Sequence, residues 1–335
     1  MSGTAADAVM SAEGLDAGVA AHYGDPLKEQ RLLLEGLAVV DLSHRGVVTV
    51  TGPDRLTWLN SLSSQKLDDL APRRSVEALL LSPHGHVEHD LHVVDDGTTT
   101  WLVVEAATTA DLVTYLNRMR FMLRVEVADV SAGWAVLGEP VGRESVEGEP
   151  LAWVDPWPRT GPLSVAYGSP DAEHPGHGWA WREVIVPRSD LAAAMSDRPL
   201  AGTWALEALR VAAGRPRHLR ETDHRTIPHE LDLLRTAVHL QKGCYRGQET
   251  IARVHNLGRP PRRIVLLHLD GSGHTLPAEG DELRNGERVV GRLTTVVRHH
   301  ELGPIALAVI KRNTPADAVL DAGGVAASQD VLVTP

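Results

Sequence analysis

The chain is poor in cysteine and in aromatic residues: among 335 residues there is one cysteine, one phenylalanine and an aromatic share of 4%. A single cysteine excludes an intramolecular disulfide framework and fits a reducing compartment. With so few rings, the core must be built from Leu, Val and Ala. Positive charge is also in deficit. The net charge is −11, so the surface as a whole does not attract nucleic acid, and any anion site must be a local basic patch. No apolar run approaches the ~20 residues that span a bilayer. Met1 to Ala21 lacks a basic start followed by an apolar stretch, so neither a secretion signal nor a transit peptide is expected. There is no internal repeat and no low-complexity segment. These absences predict a cytoplasmic protein without a membrane partner, with nucleic acid not its main partner; a monomer is expected.

Hydrophobic content, at 43%, is normal for a packed chain. At ~150 residues per domain the length predicts two or three domains. Residues 1–22 read as a flexible tail. Asp25, Pro26 and Gly36 read as the cap, first position and end of a helix. Strand-like runs follow at Ala38 to Leu42, Val47 to Thr51, Ser75 to Leu81, His86 to Val94, Trp101 to Val104 and Val125 to Val130. A helix through Trp58 and Leu62 and an amphipathic helix from Ala107 to Leu123 interleave with them, which predicts an open antiparallel α+β layer. Residues 138–180, rich in Pro and Gly, read as a β-rich insertion with strands at Leu151 to Val154 and Leu163 to Tyr167. Val184 to Val186 reads as a strand; Ser189 to Met195, Thr203 to Ala213 and Gly247 to His255 read as helices. Gly258-Arg259-Pro260-Pro261 is the clearest linker. Beyond it, strands at Arg263 to Leu269, Asp281 to Arg284, Val289 to Val297, Ile305 to Ile310 and Val331 to Thr334 predict a small β-barrel or sandwich.

The cysteine sits in Lys242-Gly243-Cys244-Tyr245-Arg246-Gly247-Gln248-Glu249. Two glycines near a thiol remove side-chain bulk and let a ligand approach. Two cations, two residues to either side, favour the thiolate, which is the reactive form. A helix starting at Gly247 or Gln248 would add the partial positive charge of its N-terminus and bring Gln248, Glu249 and Arg253 into reach. The same stretch also reads as a basic surface turn with an incidental buried cysteine, and spacing alone does not choose between the two.

Two further stretches carry chemistry. From His84 to His92, alternate residues of a strand share a face, which aligns His86, Glu88, Asp90 and His92. Two imidazoles and a carboxylate suit Zn²⁺, but ligands spaced by two along a straight strand splay apart, so a polar sheet face is expected and no metal is predicted. Asp90 is the most informative residue of this face, because a carboxylate beside an apolar cleft can accept hydrogen bonds from a nitrogenous ring. The cluster Arg253, His255, Arg259, Arg262 and Arg263 reads either as a clamp for a polycarboxylate, phosphate or RNA backbone or as a solvated linker.

The eight residues from Lys242 to Glu249 resemble the signature of the YgfZ family, folate-binding relatives of the glycine cleavage T-protein, an aminomethyltransferase (GcvT). Leu209-Arg210-Val211-Ala212-Ala213-Gly214 resembles the family's Leu-Arg-x-x-x-Gly helix, and Pro228-His229-Glu230 its Pro-x-Glu element. Val289 to Thr295 and Leu302 to Ile310 resemble two strands of its C-terminal barrel, so the resemblance runs from about Tyr23 to the C-terminus.

The resemblance implies an α+β fold of three parts: two α+β lobes within residues 23–256, divided somewhere in 130–200, and a small β-barrel over 262–335, around a central hole that holds tetrahydrofolate. It implies an accessory protein that makes or repairs iron–sulfur clusters in client proteins, including tRNA-modifying enzymes. Cys244 and Asp90 would then carry the chemistry, and Asp90, Arg210, Lys242, Tyr245, Gln248 and Arg253 would hold the folate. The alternative is a folate-dependent aminomethyl or one-carbon transferase. Against it, the T-protein has a second acid where this chain has His89, a pterin-gripping glutamate where it has Ala212, and Asp where it has Cys244.

Overall fold

A computed structural model of the chain describes residues 9–273 and 275–334. Order begins earlier than the sequence suggests. Strand β1 (Met10–Ser11) pairs antiparallel with β2 (Ala20–His22). The hairpin buries Ala12, Val19 and Ala21, and Asp16 meets His44 Nε2 at 3.1 Å. The flexible-tail reading therefore fails for residues 9–22, and residues 1–8 lie outside the described residues. Small side chains on a very short hairpin leave no long apolar period to read.

Helix α1 (Pro26–Leu34) starts as its sequence dictates: the Asp25 carboxylate accepts the Lys28 N–H at 3.0 Å, and Pro26 occupies the first turn. Then come β3 (Val39–Asp41), β4 (Gly46–Thr51), α2 (Arg55–Leu62), β5 (Ser75–Leu81), β6 (Val87–Asp95), β7 (Thr99–Val104), α3 (Thr109–Met119) and β8 (Glu126–Asp129). α3 stops four residues short of the expected Leu123, and Phe121 adopts a left-handed φ of 44°. β9 (Trp134–Glu139), β10 (Leu151–Val154), β11 (Arg182–Pro187), α4 (Leu191–Met195), β12 (Leu200–Ala201) and α5 (Thr203–Ala212) complete this half. The second half holds α6 (Leu234–Ala237), α7 (Gln248–Leu257), β13 (Arg262–Leu269), β14 (Glu282–Asn285), β15 (Arg288–His299), β16 (Gly303–Lys311), β17 (Leu320–Ala322) and β18 (Val325–Val331).

The chain divides into two compact units whose segments interleave. The first is built from the chain up to Ala78, His89–Asp155 and Ala180–Leu206; the second from Leu79–Glu88, Pro156–Trp179 and Glu207 onward. The first unit contains a five-stranded sheet in the order β10-β11-β9-β3-β12, antiparallel except where β12 runs parallel to β3. A second sheet has the order β5-β6-β7-β4-β8. The division falls within β5 and β6, so the turn end of that hairpin counts with the second unit.

In the second unit six strands close a barrel in the order β13-β16-β15-β14-β17-β18. Its sequence explains why β13 and β16 read as nearly continuous apolar runs: both of their faces are buried. Val265 and Leu267 of β13 and Ala306, Ala308 and Ile310 of β16 fill the barrel. Their alternates Ile264, Leu266, Ile305, Leu307 and Val309 pack outward into a core shared with Leu231, Leu234, Tyr245 and Ile251.

Two expected strands do not form. Leu163 to Tyr167 is irregular, with Leu163 at a φ of 55°. Its backbone bonds scattered partners instead of a ladder: the Asp232 carboxylate accepts the Tyr167 N–H at 2.5 Å, and the Leu163 and Tyr167 carbonyls accept the Leu240 and Thr334 N–H groups, each at 2.9 Å. Arg235 holds the neighbouring loop by donating to Ser169 O at 2.7 Å and Pro158 O at 3.0 Å. At the C-terminus the last strand ends at Val331, and Leu332 and Val333 enter the core without pairing as a strand.

Candidate functional site

The cysteine loop is pinned from three directions within the second unit. Tyr245 is 8% exposed and packs with Leu79, Leu81, Val87 and Ile251. Gly247 is the N-cap of α7 at a φ of 83°, and a Cβ there would lie 2.6 Å from Ser82 O. Facing it, Gly85 at a φ of 78° lies so close that its Cβ would meet Thr250 Cβ at 2.8 Å. Only glycine meets both demands, a left-handed backbone and no side chain. The turn between β5 and β6 therefore seats directly on the start of α7. Arg246 NH1 adds an ion pair to Glu88 at 3.0 Å. Beside the buried Tyr245, Cys244 is exposed as a free thiol, so the reading of an incidental buried cysteine does not hold.

The structure distributes the other predicted ligand residues unevenly. Lys242 places Nζ 5.1 Å from the Tyr245 ring centroid. Tyr245 acts as the loop's anchor, and burial pushes its hydroxyl above the ordinary value, keeping it neutral. Gln248 opens α7 half-buried, while Glu249 and Arg253 are exposed on a helix that buries only Ile251.

Arg210 is not available to a ligand. It is 5% exposed, and its five donors are used inside the second unit. Nε and NH2 grip Glu207 at 2.9 and 2.7 Å. NH1 reaches Arg215 O at 2.7 Å and Glu221 at 3.0 Å, and NH2 also reaches Thr295 at 3.1 Å. This guanidinium holds the loop after α5 to the barrel. Likewise Arg262 is committed to Asp223 and Glu230, both at 2.7 Å, and Arg263 is fully buried beneath Thr314 O at 3.0 Å. Of the basic cluster, Arg253 and Arg259 stay exposed, while His255 shares a bond of 3.1 Å with the Tyr167 hydroxyl.

Asp90 stands in the first unit, on β6. The expected row of four along one strand is not what gathers. Instead Glu77, from the neighbouring β5, joins Asp90 and His92, with one ligating atom of each within 4.8 Å of the others. The His92 Nδ1 is 2.7 Å from the buried Glu183, and its ring stacks on Trp153 at 3.7 Å and 5°. Two carboxylates and an oriented imidazole can bind a cation or accept N–H groups from a heterocycle. Glu77 was missed because strand period alone does not say which residue of another strand lies opposite. Its signal was an acid inside the otherwise apolar Val76-Glu77-Ala78-Leu79. His89, on the opposite face, is 8% exposed.

Mixed sheets with flanking helices and a closed six-stranded barrel define a protein of the T-protein fold class. The structure is similar to the crystal structure of glycine cleavage system aminomethyltransferase T from Bartonella henselae, with a TM-score of 0.75 at 18% identity, covering 98% of this chain and 93% of that one. Residues 20–138 match the family model of the GCVT N-terminal domain. An aminomethyltransferase of Synechococcus sp. (strain RCC307) is 30% identical over 315 residues, 88% of this chain and 84% of that protein. The chain belongs to this aminomethyltransferase (GCVT) family. It is also similar to the mitochondrial iron-sulfur cluster assembly factor IBA57 homolog of Mycosarcoma maydis, 27% identical over 249 residues and 70% of this chain. The chain spans 58% of that fungal protein and 62% of a chloroplastic relative from Arabidopsis thaliana. Among the described residues, no helix is long and apolar enough to cross a membrane.

Proposed function

We propose that the chain is a tetrahydrofolate-binding accessory protein of iron–sulfur cluster assembly, of the YgfZ type, with Cys244 as its reactive group. The observation that carries this reading is the exposed thiol on a loop held rigid by Tyr245, Gly247 and the Arg246–Glu88 pair. A loop built this firmly around an accessible sulfur is preorganised for chemistry or for a partner. The likeness to iron-sulfur cluster assembly factors supports the partner class, proteins that carry such clusters.

Folate fits part of the residue set. A reduced pterin offers N–H groups that need a carboxylate, and Asp90, half-buried on β6, is of that type, while Glu77 beside it is fully buried. Its glutamate tail needs cations, and Arg253 is exposed. Lys242 and Gln248 remain in the proposed folate set. Arg210 and Tyr245 leave it, because the interior uses the first for its ion pairs and the second for packing. Isothermal calorimetry with tetrahydrofolate, joined to iron–sulfur enzyme assays in cells carrying Cys244→Ser, tests the proposal. Binding, together with loss of client activity in the variant, is expected. No heat of binding and normal client activity would remove it.

Similarity to aminomethyltransferases over most of the chain favours a second reading, a one-carbon transferase that uses Asp90. It requires turnover of a methylamine-bearing donor that collapses in Asp90→Asn. A donor panel without turnover eliminates it.

A further inference from the structure

The end of α3 carries an apolar tip that the folate and thiol reading leaves unused. Phe121, the sole phenylalanine of the chain, is 89% exposed, and Met122 beside it is 85% exposed. Leu123 and Met119 extend the tip at 43% and 39%. A tip of this kind is not a fraying end. Asp54 accepts the Arg124 backbone N–H at 2.9 Å and its guanidinium at 3.0 and 2.7 Å. The Trp58 indole donates to Met119 O at 3.3 Å, and the Leu123 N–H reaches back to Arg120 O at 2.9 Å. Phe121 itself is held at a φ of 44°, a left-handed conformation unfavourable for an L-residue. Three pairs, Asp54–Arg124, Trp58–Met119 and Arg120–Leu123, thus hold a turn that presents four apolar side chains to solvent.

Arginines interleave with them in Arg118-Met119-Arg120-Phe121-Met122-Leu123-Arg124. This pattern complements an anionic lipid surface. Apolar side chains enter the boundary of headgroup and acyl chain while neighbouring guanidiniums meet phosphates. A protein partner fits less well. Stable interfaces bury about 800 Å² per side around a core depleted of charge, and here the apolar residues are confined to one convex turn with a cation at nearly every other position. The net charge of −11 opposes approach as a whole, but charges beyond about 8 Å are largely screened at physiological ionic strength, so the local arginines decide the contact.

We infer that this tip docks the protein peripherally on anionic membranes through Phe121 and Met122, with Arg118 and Arg120 reading the phosphates. The inference stands apart from folate and from Cys244. The full chain is sedimented with vesicles of phosphatidylcholine and phosphatidylglycerol at roughly 7:3, and with pure phosphatidylcholine as control. The expected result is binding to the anionic vesicles only, reduced about tenfold by Phe121→Ser with Met122→Ser and weakened by salt. Both side chains are exposed, so circular dichroism of the double variant should be unchanged. No binding to anionic vesicles, or equal binding by the double variant, overturns the inference. So does concentration-dependent self-association in velocity sedimentation that the double variant abolishes, since the tip's occupant would then be a second copy of the chain.

Discussion

Replacing Arg210 with methionine separates a structural task from a binding one. The side chain keeps its unbranched stem and loses its guanidinium and charge. Glu207 then retains Arg217, whose NH1 lies 3.2 Å away. Glu221 retains Thr294 and Thr295 at 2.9 and 2.6 Å and the Arg217 N–H at 2.8 Å. Two buried carboxylates therefore lose their main counter-charge but not every donor. Breaking a buried pair by removing one partner costs about 3–5 kcal/mol, and the surviving donors place the expected loss near the lower end, about 3 kcal/mol. Urea unfolding followed by tryptophan fluorescence should show it as an earlier midpoint. Adding Glu207→Gln and Glu221→Gln to Arg210→Met should recover part of the loss, because the stranded charges disappear. A variant as stable as the parent but unable to bind folate would refute the reasoning and return Arg210 to the ligand site.

Acid should weaken the second unit through His229. Its ring is fully buried, and burial lowers its pKa from 6.5 to about 4. The unfolded chain takes up this proton below pH 6.5, the folded chain only below about 4. The contribution is therefore intact above 6.5, is lost as pH falls through that window, and amounts to about 3 kcal/mol in total. Unfolding midpoints measured from pH 7 to 4, with His229→Phe as comparison, check it, and equal slopes for the two proteins would contradict it. Leu307→Ala, on the outer face of β16 and fully buried, should cost about 2–5 kcal/mol in thermal or urea unfolding. Arg246→Ala breaks an ion pair whose side chains are 34% and 39% exposed, so it should cost less than about 1 kcal/mol. Cys244 should react fully with a thiol reagent in the native protein, and protection until denaturant is added would contradict its exposure.

Much of the fold was legible before coordinates. Strong periodic or continuous apolar runs marked β5, β6, β13 and β16, and Asp25-Pro26 marked α1, because these signals are local. Of the two glycines around Cys244, the structure requires one: Gly247 meets the backbone of Ser82 and Gly85 at distances no side chain allows, whereas Gly243 has open space around it. The local rules failed where isolated partners replaced the ladder. Asp232, Arg235 and the backbone of Leu240 and Thr334 satisfy the chain around Tyr167, so a run of strand-forming residues stays irregular.

By itself the sequence determined most of the element order, the likeness to the aminomethyltransferases and the place of the cysteine loop, since each depends on residues near one another in the chain. Tertiary structure alone decided which charges are spent inside. Arg210 looked like a folate ligand and Arg262 and Arg263 like part of an anion clamp or a linker, and the first two proved to be paired with acids, among them Glu221 and Asp223, 11 and 39 residues away. Likewise only the pairing of β5 with β6 set Glu77 beside Asp90 and His92. Electrostatic neutrality of a buried group is satisfied in space, and spacing along the chain carries no record of it.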